Sequence, residues 1–166
     1  MKSKTSVLFI ISSLSFVVWL VIFSVKAIKF DQKCGGYLER AANANTIELA
    51  ERELAIAIDY LDKNEIKSGF TSVVYQTPDE DVGYWYENLS ASLKELRSIN
   101  ENSAPLERSN VLLKLRETLM DNGKYGDKLT IPGMICVYPN NALFFWWLMA
   151  TVIGLGSSSL KLCFAD

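Results

Sequence analysis

ALFFWWLMATVIGLGSSSL, Ala142 to Leu160, holds no charged residue, and none occurs anywhere between Lys128 and Lys161. At 1.5 Å of rise per residue a helix over this stretch is about 28 Å long, close to the roughly 30 Å hydrocarbon core of a bilayer. Pro139-Asn140-Asn141 supplies a helix start, Trp146 and Trp147 sit near the beginning where amphipathic rings favour the headgroup boundary, and Lys161 closes the other end. The alternative, a helix buried in a protein core, requires a domain large enough to enclose a segment apolar on every face.

A second run, VLFIISSLSFVVWLVIFSV from Val7 to Val25, is flanked by Lys2 and Lys4 before it and by Lys26 and Lys29 after it. Its length fits a span better than the shorter apolar core of a signal peptide, although Val25-Lys26-Ala27 also reads as a cleavage site. The expectation is therefore a mostly α membrane protein: two transmembrane helices flanking a soluble three-helix domain with a small two-stranded β element. The corresponding segments are a short tail (1–6), the first span (7–27), the soluble domain (28–139), the second span (140–160) and a C-terminal tail (161–166).

Two spans put both termini on one side of the bilayer. Lysines flank the two sides almost equally, so the positive-inside rule does not choose between them. Cys34, just beyond the first span, and Cys136, just before the second, suggest a disulfide closing a loop of about 100 residues and worth about 4–5 kcal/mol by chain entropy. Such a bridge implies an oxidising compartment. On that basis the domain is expected outside the cytoplasm, with both termini cytoplasmic and Cys163 a free thiol on their side.

Between Phe30 and Asn140 there are 12 basic and 18 acidic residues, a net charge of −6. This disfavours nucleic acid as a partner. The chain has no histidine, which removes Ser-His-Asp and Cys-His catalysis and most zinc sites. No cofactor is expected.

Within the domain, Cys34-Gly35-Gly36 is expected to break the helix leaving the membrane. A long helix then runs from Tyr37 towards Asn64, with Ile47, Ala50, Leu54, Ala57 or Ile58, and Leu61 as its apolar stripe. Gly69–Tyr75 reads as a strand. Thr77-Pro78-Asp79-Glu80 reads as the start of a second helix, with Val82, Tyr86, Leu89, Leu93 and Leu96 facing the core. Pro105 opens a third through Leu106, Leu112, Leu115 and Leu119, with Gly123 as its stop, and Lys128–Pro139 is expected to extend and pair with the earlier strand.

Three features suggest contact surfaces. Ala150, Gly154 and Ser158 recur every four residues and form a small-residue face for helix packing, with Ser12, Ser13 and Ser15 as counterparts. Tyr84, Trp85 and Tyr86 span more than half a helical turn, so they cannot all enter one core and form a candidate partner contact. The acidic run Asp79-Glu80-Asp81 reads as a helix cap rather than a calcium loop. The leading expectation is a non-enzymatic accessory or self-assembling membrane subunit whose domain contacts a protein. The alternatives are an oligomeric channel or membrane-permeabilising factor, and a small-ligand-binding outer domain.

Overall fold

The computed structural model describes residues 2–99, 103–123, 126–137, 139 and 141–163. The chain is mostly helical with one two-stranded sheet, and two of its helices are long and apolar enough to cross a membrane.

The first of these, α1 (Lys2–Phe30), does not stop at the glycine pair. It passes through a single π-helical turn, Asp31–Gly35, directly into α2 (Gly36–Ala42). The helix break expected at Cys34-Gly35-Gly36 does not occur, and the anticipated boundary at residue 28 falls inside one continuous helix. Gly35 and Gly36 both adopt ordinary right-handed angles (φ −54° and −62°). A π turn inserts one extra residue and re-aims the helix face. Here it joins a face that packs on α6 through Trp19 to one that enters the domain core through Phe30, Cys34, Leu38, Ala41 and Ala42. The domain is thus built on the continuation of the apolar helix.

Four residues separate the end of α2 from the start of α3 (Ile47–Lys63), so the long helix anticipated from Tyr37 is two helices. The reason is local chemistry. Asn43 and Asn45 favour turns over helix interiors, and the hydroxyl of Thr46 caps α3 by accepting from Leu49 N–H at 3.2 Å. The expected stripe of α3 is buried: Ile47, Ala50, Leu54, Ala57, Ile58 and Leu61. At its far end a Schellman closure forms, with Ile66 N–H donating to Leu61 C=O at 2.9 Å and Glu65 N–H to Asp62 C=O at 3.2 Å. Glu65 occupies the left-handed position usually taken by glycine (φ 57°).

Residues 69–82 differ from expectation. Only Phe70 makes a bridge, to Asp81, supported by Thr71 N–H to Glu80 C=O and Val82 N–H to Gly69 C=O. Pro78–Glu80 is one 3₁₀ turn, and α4 (Val82–Ser98) starts after it, capped by Asp81 rather than Thr77. Asp81 Oδ1 accepts from Gly83 N–H at 2.8 Å and from Tyr84 N–H at 3.2 Å. Val82, Leu89, Leu93 and Leu96 are buried as anticipated.

α5 (Pro105–Leu119) packs on α2, α3 and α4 through Leu115 and Leu119, whereas Leu106 stays exposed. The sheet lies elsewhere than expected. Met120–Gly123 (β1) pairs antiparallel with Gly126–Leu129 (β2), in the register Met120 opposite Leu129. Gly123 therefore belongs to a strand that follows directly on α5, and residues 130–137 are not a strand. α6 (Ala142–Cys163) opens with Asn141, whose Oδ1 and backbone carbonyl both accept from Phe144 N–H. Asn140 lies outside the described residues.

Candidate functional site

α1 and α6 pack along one seam, and its two halves have different chemistry. Towards the domain the seam is aromatic: Trp19 is buried, stacks on Phe144 at 4.8 Å and on Phe23 at 5.4 Å, and donates Nε1–H to the Phe144 carbonyl at 3.0 Å. Further along, Trp147 donates to Ser15 Oγ at 2.8 Å. Beyond it the seam is made of small residues. A Cβ placed on Gly154 would lie 2.5 Å from Ser12 Oγ and 3.4 Å from Ser12 Cβ.

The anticipated packing face is thus occupied within the chain by Gly154 and Ser158, while Ala150 is exposed and takes no part. The cause is geometric. At about 100° per residue, a four-residue spacing drifts by about 40° a step, and Ala150 falls outside the arc that Phe144, Trp147, Thr151, Gly154 and Ser158 share. Thr151, buried, holds the position expected of Ala150. Ser158 is fully buried with no hydrogen-bond partner for its hydroxyl among the described residues. Ser12, Ser15 and Gly154 all lie in this seam.

The aromatic triplet divides three ways. Trp85 is core at 8% exposure, while Tyr84 is 66% exposed. The Tyr86 hydroxyl donates to Asp62 Oδ1 at 2.5 Å, tying α4 to α3. That bond, followed by Lys67 at 3.1 Å, holds the Asp62 carboxyl below the usual carboxylate range, and the same contact pushes the Tyr86 hydroxyl up.

Tyr84 and Trp85 form one wall of a cleft of about 630 Å³ between the start of α4 and the segment after β2. Asp79, Glu80, Asp81 and Asp121 line it, with Asn88, Thr118, Thr130 and Pro132. Two of the four acids have local duties: Asp81 caps α4, and Glu80 Oε2 accepts from Thr77 N–H at 3.1 Å. Asp79 and Asp121 line the cleft without an ion pair or side-chain hydrogen bond among the described residues. A cationic side chain can set its apolar stem on the rings and its charge between these carboxylates. Among the described residues no group of three carboxylates or thiols is arranged to hold a metal ion.

Cys34 and Cys136 are free thiols, and the expected disulfide is not formed. Cys34 is completely buried, with Sγ directed at the Ala57 carbonyl 3.9 Å away, and burial pushes its pKa up to about 12. Cys136 is half-buried, and burial raises it while Lys26 opposes the shift. Both thiols lie within electrostatic reach of the Tyr60 hydroxyl, whose pKa burial raises first. The side chain of Cys163 lies outside the described residues.

Sequence reasoning missed Glu53, a core carboxylate at 3% exposure. Its Oε1 accepts from Arg40 at 3.0 Å and from Arg52 at 2.8 Å, and Oε2 has no partner among the described residues. The signal was present: Glu53 falls between Ala50 and Ala57 on the apolar stripe. It also missed a second cleft, of about 450 Å³, where α1 enters the domain beside residues 135–137, Pro139 and Asn141.

The chain matches no protein-family model, and neither a curated protein nor a solved structure shows significant similarity to it.

Proposed function

We propose that this chain is a two-span integral membrane protein that acts by contact, its helical domain receiving a basic segment of a protein partner in the cleft beside Tyr84 and Trp85. Membrane insertion is supported by the exposed surface of α1, where Ile10, Ile11, Leu14, Val17, Val18 and Val21 all face outward. A contiguous apolar surface of this extent is not left in water by a soluble monomer.

The single observation that carries the contact role is the pairing, in one cleft, of an exposed tyrosine with two carboxylates that have no partner among the described residues. Burial of Tyr84 on binding would supply the aromatic anchor typical of protein interfaces. The continuous α1–α2 helix ties such an event mechanically to the bilayer. No catalytic step is assigned to the chain.

In this reading both termini lie on one side and the domain on the other. The extracytoplasmic placement of the domain no longer has a disulfide to support it, and impermeant labelling of the half-buried Cys136 thiol in intact cells decides it. The contact role is tested by a photo-crosslinking residue at position 84 in native membranes. The expected result is a discrete protein adduct, lost when Asp79→Lys and Asp121→Lys are introduced together. Crosslinking to lipid alone, or adducts indifferent to those charges, contradicts the proposal.

A further inference from the structure

The cleft at the junction of α1 and the domain has a chemistry unlike that of the acidic one. It is lined by Lys26, Lys29, Tyr60 and Asn64 on the helical side and by Ile135 to Val137 and Asn141 on the other, with Glu65 as its one acid. Lys26 and Lys29 are three residues apart, so they project from the same helix face. Eight cations of the domain meet a carboxylate within 4.0 Å; Lys26 and Lys29, like Lys33, Lys94 and Lys128, meet none among the described residues. Lys26 instead lies over the Phe144 ring, 5.9 Å from its centroid, which places its ammonium where α6 begins.

Two further features converge here. The described residues include two non-glycine positions with positive φ, Glu65 (57°) and Met134 (63°). One lines this cleft and the other immediately precedes its wall at Ile135. Strained backbone of this kind clusters where a fold holds a site in shape. The level of the cleft is also set by sequence: the uncharged run of α1 ends at Val25, just before Lys26, and α6 starts at Ala142, just after Asn141. Resting on the membrane-spanning reading above, this is the depth at which hydrocarbon gives way to lipid phosphate.

We infer that this cleft binds the phosphate group of an anionic glycerophospholipid, with Lys26 and Lys29 on the phosphate oxygens, the Tyr60 hydroxyl as a further donor, and Ile135 and Val137 against the glycerol end. A basic pocket beside spanning helices is a recurrent arrangement for acidic headgroups, each lysine being worth about fivefold in binding. The bound headgroup would brace α1, α3 and residues 135–137 together.

The test uses the full chain in nanodiscs of phosphatidylcholine with or without phosphatidylglycerol, read by the lipid retained in native mass spectrometry and by thermal midpoint. Wild type is expected to retain phosphatidylglycerol and to gain stability from it. Lys26→Gln with Lys29→Gln is expected to weaken the preference about twenty-fivefold, while Lys33→Gln with Lys94→Gln, an equal charge change outside the cleft, leaves it intact. A preference indifferent to the Lys26 and Lys29 changes overturns the inference, since it then reflects diffuse attraction. Soluble glycerol 3-phosphate added to phosphatidylcholine discs separates the sources. Stabilisation by it that needs both lysines supports the phosphate site and assigns a free phosphoester as ligand. No response to either ligand overturns the site. A chain that fails to enter discs contradicts the spanning reading instead, and the glycerol phosphate arm, run in solution, still decides the cleft.

Discussion

Replacing Gly154 by leucine should separate α1 from α6, and the cost follows from the seam's dimensions. An added Cβ falls 2.5 Å from Ser12 Oγ, about 1 Å inside van der Waals contact, and 3.4 Å from Ser12 Cβ, which is tolerable. Alanine therefore asks only that the serine hydroxyl rotate, and its better helix propensity, about 1 kcal/mol over glycine, offsets that strain. Leucine adds three more carbons where no space exists. Overpacking of this kind costs about 2 kcal/mol. Parting the helices also strains the Trp147–Ser15 and Trp19–Phe144 hydrogen bonds, at about 0.6 kcal/mol each inside a bilayer. The expected loss is about 3 kcal/mol. Gly156 is the internal control, because a Cβ there meets nothing within 4 Å. Unfolding in micelles followed by tryptophan fluorescence should show Gly154→Leu strongly destabilised, with Gly154→Ala and Gly156→Leu within about 1 kcal/mol of wild type. Equal losses at 154 and 156 would refute the seam.

Glu65→Gly should leave the domain unchanged or stabilise it by up to about 1 kcal/mol, because glycine adopts the left-handed cap without strain; chemical denaturation measures this, and Glu65→Val should be destabilising by comparison. Asp81→Ala should cost about 1 kcal/mol by leaving the N–H groups of Gly83 and Tyr84 uncapped, and hydrogen exchange should rise in the first turn of α4 before any global loss. The Cys34 thiol, raised by burial from 9.0 to about 12, is held neutral in the fold. Its contribution is complete below pH 9 and is lost as the pH climbs from 9 towards 12, so alkaline denaturation should be blunted in Cys34→Ala; at pH 8 a thiol reagent should modify Cys136 well before Cys34.

The two apolar runs and the stripes of α3 and α4 were legible because burial imposes a period the sequence repeats. The points of failure were those at which two tendencies compete. The glycine pair at 35 and 36 lowers helix propensity by about 1 kcal/mol each, yet α2 is held between α3 and α5, and that packing outweighs the loss. The β-branched residues at 69–75 carry strand propensity but form a single bridge, from Phe70 to Asp81. The sheet formed instead in the polar segment 120–129, where Asn122-Gly123 and Gly126 were the clue. Of the two clefts, only Tyr84, Trp85 and the acids at 79–81 could be picked out in advance. The remaining walls come from residues 118–141, which no local pattern joins to them, and Lys26 and Lys29 read simply as the charged flank of a span.

The central claim is that α1 and α6 of one chain lie side by side as an antiparallel hairpin. Ser12→Cys with Gly154→Cys, in a background of Cys34→Ala, Cys136→Ala and Cys163→Ala, tests it in membranes. The Cβ separation of 3.4 Å is at the short edge of the disulfide range of about 3.5–4.5 Å. Mild oxidation should give a rapid, concentration-independent crosslink within the monomer, and Ser12→Cys with Gly156→Cys should give none. Crosslinked dimers from the first pair, or equal reaction of the two pairs, would contradict the hairpin.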